Sequence, residues 1–267
     1  MSRCLRLFDS PVVDFCCRLN YHEQTMPSWN IHTAHVEKLL AQRKADELGI
    51  ADVNAFLFGN YVPDVYLGFM VPEASYRVDY CLTHCADVNN IPVPDADRFW
   101  DDYIYRRRPK SETGLSLALG AWAHLVTDRM YNSSFRAFLQ THDAPKGEEL
   151  RKCKQADFDL FGRTLGISSL VKVEPALLDA AWRFLPYRIL ADDVSRAADV
   201  ANGIVRRNAQ PPVEASYSLL DEEWMRNVFD ACDMRLATWL QIWQSQEARG
   251  DRASAEQMNS LLENASL

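Results

Sequence analysis

The chain has 267 residues, 48% of them hydrophobic and 25% charged, a mixture that can bury a core without staples and that excludes disordered, collagen-like and coiled-coil classes. Lys plus Arg number 29 against 37 Asp plus Glu, a formal charge of −8. That balance excludes broad electrostatic capture of nucleic acid or of an anionic membrane and leaves room for a local anion site.

Residues 1–25 read as an N-terminal extension whose short apolar pieces are broken by Asp9 and Asp14, so no signal-peptide core or membrane span is expected, and Met26 of MPSW offers an alternative start. A helical domain is expected over 26–247. Its first helix runs over 33–48, with Val36, Leu39, Leu40 and Leu48 on one face, and stops near Gly49. The segment AFLFGNYVPDVYLGF, 55–69, predicts a buried helical piece ending in a kink at Gly59 and Pro63 that displays Asp64. Pro92, Pro94 and the Asp95–Asp97 cluster form a loop and cap leading into a helix through Ile104, which ends in a solvated basic run, Arg106–Arg108. Ser111 opens the longest apolar helix, GLSLALGAWAHLVTDRMYNSSFRAFL, which is expected to be central. Helical stretches follow at 148–165, 174–184, 189–207 and 219–246, with a break at Pro211 and Pro212. In the last of them Trp224, Phe229, Leu236, Trp239, Leu240 and Trp243 form a core stripe that would also suit a dimer contact. The remainder, 248–267, reads as a polar tail or weak, fraying helix. The fold class expected is all-α, a single helical bundle.

The cysteines, at 4, 16, 17, 81, 85, 153 and 232, are odd in number and contain no C-x-x-C pair, which favours a reducing, cytoplasmic setting. The sharpest local feature is AHLVTD: His124 and Asp128 are four residues apart on an apolar helix, so imidazole and carboxylate share one face and can converge on one cation. An ionised Asp among Leu, Trp and Val otherwise costs several kcal/mol. A direct His124–Asp128 hydrogen bond is the structural alternative and carries about equal weight on spacing alone. His32 after Trp29, Asp64 after Pro63, and His84 between Cys81 and Cys85 add imidazole and carboxylate at other apolar places. Together they form the N and O donor set that zinc prefers, scattered along the chain as suits a site inside a helical bundle.

In their order, MPSWNIH, FLFGNYVPD, THCAD, ALGAWAHLVTD and KQADFDLF resemble the zinc-dependent phospholipase C family, distantly related to the fungal single-strand-specific zinc nucleases. The resemblance spans residues 26–161. It implies a mostly helical fold of the phospholipase C and zinc nuclease type and a zinc cluster held by His32, Asp64, His84, His124 and Asp128. It also implies an HxxxE pair and a further His. Here the region reads CKQADFDLFG, which offers Asp157 and Asp159 to complete a second site but no His, and His142 of THDAP is a loop candidate for the missing imidazole. The secreted members bind metal through an N-terminal Trp, whereas Trp29 is internal. The expectation is therefore one to three zinc ions, with these departures favouring one or two over the family's three. His35 suits either a substitute ligand or a surface position, and His22 lies outside the resemblance.

The activity so implied is phosphoester hydrolysis on a phosphodiester or phospholipid, with Asp64 as catalytic base or metal ligand. No stable nucleic-acid binding is expected. The competing reading is a helical protein that holds metal for structure or for a partner, without turnover.

Overall fold

The computed structural model describes residues 28–86, 93–210 and 216–265. The expected extension over 1–25, His22, Met26, Cys4, Cys16, Cys17, Pro92 and the Pro211–Pro212 break lie outside the described residues. Among the described residues every regular element is helical and none is a strand, so the fold is all-α. No described helix is long and apolar enough to cross a membrane.

Helix α1, Trp29–Gln42, begins four residues earlier than its apolar stripe predicts. Trp29, Ile31, His32, Thr33, His35 and Val36 are all buried, so this helix is covered nearly all round and a one-sided stripe under-reads it. It also stops earlier than expected, and the chain reaches Gly49 through a 3₁₀ turn, Asp46–Leu48, with Gly49 at φ 68°. Helix α2, Val53–Gly59, is capped by Asp52, whose Oδ1 accepts from the Ala55 N–H at 2.9 Å. The predicted kink follows it, and the short α3, Val62–Val65, carries Pro63 in its first turn, where the missing N–H leaves no bond unmade.

Helix α4 is the short Tyr80–Thr83. Helix α5, Ala96–Trp100, is capped by Asp95 and passes into a π-helical turn, Asp101–Arg106. The basic run after it is paired: Arg106 with Asp102, Arg107 over the Tyr103 ring, Arg108 with Glu247. Helix α6, Glu112–Thr141, is capped by Ser111, whose Oγ accepts from the Gly114 N–H at 3.1 Å. Helices α7, Gly147–Thr164, α8, Pro175–Trp182, α9, Ala191–Asn208, and α10, Glu222–Glu247, lie within one to three residues of their predicted bounds.

Helix α6 is the central element, packed by α2, α5, α8 and α10, and its most extensive partner is α2. That pairing depends on two glycines facing each other: a Cβ on Gly120 would stand 2.1 Å from the Phe56 carbonyl oxygen, and one on Gly59 2.3 Å from that of Leu117. The Trp stripe of α10 is core. Trp239 and Trp243 meet Trp100, and Trp239 meets Trp122, at ring-centroid distances of 5.2, 5.9 and 5.2 Å.

The C-terminal segment differs from the fraying tail expected. Helix α11, Ala255–Ala265, buries Ala255, Met258 and Leu262 in the main core. Its start is fixed on both sides of the chain before it: Trp100 Nε1 donates to the Ala253 carbonyl at 3.1 Å, and Asp101 Oδ1 accepts from the Ala255 N–H at 2.7 Å. The polar composition of 248–267 hid this because the inward-facing positions, Ala253, Ala255, Met258 and Leu262 with Leu261 partly buried beside them, are scattered among polar ones.

Candidate metal centre

Helix α1 supplies His32, the end of α4 supplies His84, α3 supplies Asp64, and one face of α6 supplies His124 and Asp128. The structure brings these side chains together in the interior, each no more than 1% exposed. His124 Nε2 lies 3.2 Å from Asp128 Oδ2, His84 Nε2 3.5 Å from the same oxygen, and the two Nε2 atoms are 3.3 Å apart. Asp64 Oδ1 stands 3.8 Å from both, and His32 Nε2 stands 3.3 Å from the other Asp128 oxygen, Oδ1. Two overlapping ligand triads result, His32–His124–Asp128 and Asp64–His84–His124.

Local structure explains how each group is aimed. The Gly59–Gly120 contact lets α2 approach α6 until the Asn60 carbonyl, just past the end of α2, accepts from His124 Nδ1 at 2.8 Å. Thr127 Oγ1 donates to the His124 carbonyl at 2.8 Å and so is free to accept from His32 Nδ1 at 3.2 Å. Thr83 Oγ1 donates to the Tyr80 carbonyl at 3.3 Å and accepts from His84 Nδ1 at 2.7 Å. Cys85 follows His84 at φ +53°, a left-handed conformation costing a non-glycine residue about 1–2 kcal/mol, and the His84 carbonyl is fixed by the Asp95 N–H at 3.0 Å. Trp29 Nε1 donates to Asp64 Oδ2 at 3.0 Å, leaving Oδ1 to face the imidazoles.

These partners assign the tautomers. With all three Nδ1–H groups spent on protein oxygens, the neutral rings present three bare Nε2 lone pairs to two carboxylates that receive no N–H from them. Among the described residues His32 Nε2, Asp64 Oδ1 and both Asp128 oxygens accordingly have no hydrogen-bond partner, although ion-pair distances separate them. Lone pairs facing one another at 3.3 Å repel unless a cation lies among them, either a proton or a metal ion. Zinc bonded to N and O at about 2.0–2.2 Å in a tetrahedron places its ligand atoms about 3.3–3.6 Å apart. The 3.2 to 3.8 Å separations here match that edge length, so the residues fit the ion.

Without metal, the proton takes the place of the cation. Burial would lower His124, but the Asp128 and Asp64 charges outweigh it and raise its pKa to about 9. Burial and the His124 charge push His32 down to about 4, and burial lowers His84. Burial raises Asp64, while Asp128, despite its burial, is held well below the carboxylate range by His124 and its other imidazole neighbours.

The remaining candidates are elsewhere. Asp157 spends both oxygens on the turn before α10, accepting from the backbone N–H groups of Ser218, Leu219 and Leu220, each at 2.8 Å. Asp159 accepts from Gln155 at 2.8 Å. Neither belongs to the converging triads, so the second-site role expected of both is corrected: Asp157 is a backbone anchor. His142 is exposed, stacks on Phe138 and hydrogen-bonds within its own turn. His35 is buried rather than on the surface, but its Nδ1 donates to Asp233 Oδ1 at 2.6 Å, one turn beyond the cluster.

Sequence reasoning did not reach Thr83, Thr127 or the Asn60 carbonyl, whose roles rest on small side chains and a backbone atom with no motif of their own, and it named Trp29 without its bond to Asp64. It also missed Lys154, 8% exposed, on the inward face of α7 that carries Asp157, Phe158 and Phe161. A mixed-charge cavity of about 1050 Å³, lined by Asp95, Asp97, Arg98, Arg129 and Arg136 among others, opens beside α6, and none of the cluster residues lines it. No protein-family model matches the chain, and no curated protein or solved structure matches it.

Proposed function

We propose that the chain is a zinc-dependent phosphoester hydrolase of the phospholipase C type, acting on a phosphodiester. The observation that carries this reading is the convergence of three Nδ1-anchored imidazoles and two buried carboxylates whose inward oxygens have no hydrogen-bond donor. His84, His124 and Asp128 Oδ2 would hold one ion, and His32 with Asp128 Oδ1 would bind a second. Zinc so bound supplies Lewis acidity and lowers the pKa of water toward neutrality, as water-driven cleavage of a phosphodiester requires. Trp29 fixes one oxygen of Asp64 and the other faces the site, so Asp64 would act either as a further ligand of the first ion or, left unligated, as the acceptor of the water's proton. The cytoplasmic expectation belongs to the same proposal and draws support from Cys85, Cys153 and Cys232, which form no disulfide among the described residues.

One observation favours a non-catalytic metal site: all five ligand candidates are at most 1% exposed, as in a closed structural centre. Metal content by inductively coupled plasma mass spectrometry, together with cleavage of bis-p-nitrophenyl phosphate, separates the readings. One or two zinc ions per chain and turnover, both lost in His124→Ala and Asp128→Ala, support the hydrolase. Zinc without turnover supports the structural site, and a chain that takes up no zinc overturns both.

A further inference from the structure

Lys154 has an environment that packing alone does not account for. On α7 it occupies the inward face with Phe158 and Phe161, where an apolar residue would fit, and no carboxylate among the described residues pairs with it. Its ammonium donates to Asn132 Oδ1 at 3.1 Å and lies 4.7 Å from the Phe135 ring centroid and 5.5 Å from that of Phe158. Asn132 is one turn beyond Asp128 on the same face of α6, so the ammonium sits one helical turn from the metal centre. The charges of Asp128 and Arg136 both reach it.

An ammonium in this position needs an anion. Rings and one amide oxygen satisfy part of a buried lysine, and two further N–H groups remain for an acceptor. Loading the centre with divalent zinc makes the demand greater, because two carboxylates cannot neutralise two such ions and Lys154 adds charge of the same sign. The group that would balance all of these charges is an oxyanion lying between them.

We infer that Lys154 anchors a phosphate group beside the His32–Asp64–His84–His124–Asp128 centre, and thus orients the substrate by its phosphoryl oxygens. This inference rests on the hydrolase reading above and deepens it. It assigns to Lys154 a role in binding the substrate phosphate rather than in holding zinc or activating water. Burial holds the amine down to about 8, so it is still mostly protonated at neutral pH and able to donate.

The test uses the full chain loaded with zinc, its metal counted, and titrated with inorganic phosphate by calorimetry. Wild type is compared with Lys154→Met, which keeps the shape and removes the charge, and with Lys154→Gln, which also keeps a donor for Asn132. The expected result is a loss of at least tenfold in phosphate affinity in both variants, with zinc content unchanged and Tm equal to or above that of wild type. The matching kinetic signature is a raised KM for bis-p-nitrophenyl phosphate with a smaller change in kcat. Unchanged phosphate affinity in either variant, or a lowered Tm in both, would make Lys154 a packing residue and overturn the inference. A zinc-loaded wild type that binds no phosphate overturns the anchor and leaves the metal reading standing. A wild type that takes up no zinc overturns the metal reading and the anchor together.

Discussion

At the scale of single residues, the candidate metal centre is a matter of where protons and lone pairs are sent. Thr127 makes two bonds that between them decide the tautomer of His32, yet it contributes no ligand atom. Removing such an outer partner typically costs about 10–100-fold in metal affinity, and Thr127→Val is expected to weaken zinc binding by about that much, measured by competition with a chromogenic chelator. The proton on His124 gives a second expectation. Its folded pKa of about 9 lies above the ordinary 6.5, so in the metal-free chain His124 stabilises the fold fully below pH 6.5 and loses that contribution as the pH rises through about 9. Zinc bound as proposed would have to displace this proton. Calorimetry at pH 7 in buffers of different ionisation enthalpy should show proton release on binding, with affinity rising toward pH 9; binding with no proton uptake by the buffer would count against the arrangement.

At the scale of elements, two helix contacts set the geometry. The Gly59–Gly120 approach holds the Asn60 carbonyl against His124, and a methyl group at 120 would meet backbone, which cannot move as a side chain can. Overpacking of this kind costs about 1–3 kcal/mol, so Gly120→Ala should lower Tm by roughly 2–10 °C and should weaken zinc binding as well. A variant with unchanged Tm would show that α2 and α6 are less tightly fixed than described. The sequence marked the Gly59 and Pro63 kink correctly, because glycine and proline act on their own backbone. It did not reveal that Gly59 needs Gly120, because that requirement arises only when two helices 61 positions apart meet.

At the scale of the whole molecule, α11 closes the bundle over Trp100, and the metal centre joins α1, α3, α4 and α6. Truncation after Gly250 should expose Trp100 and Met258's core contacts, lowering Tm and red-shifting the tryptophan emission; unchanged emission would show that the tail does not pack there. A ligand that binds only the folded state at about a thousand times its Kd adds about 4 kcal/mol, so chelation of a zinc-loaded chain should lower Tm substantially. A Tm indifferent to chelator would remove zinc from the fold's energetics.

The amino-acid sequence by itself determined the helical class, the central helix with its Ser111 cap and the kink before Asp64, and it singled out His32, Asp64, His84, His124 and Asp128 as candidate donors, which the fold brings together. These follow from periodicity, capping chemistry and the cost of placing polar groups among apolar ones, all of which act over a few residues. Tertiary structure alone decided that Asp157 anchors a turn and Asp159 pairs with Gln155, that His35 points to Asp233, that the polar tail packs, and that Lys154 lies one turn beyond Asp128. The physical reason is that a side chain's partner is fixed by which helices cross and how closely, and nothing in the spacing along one helix carries that information.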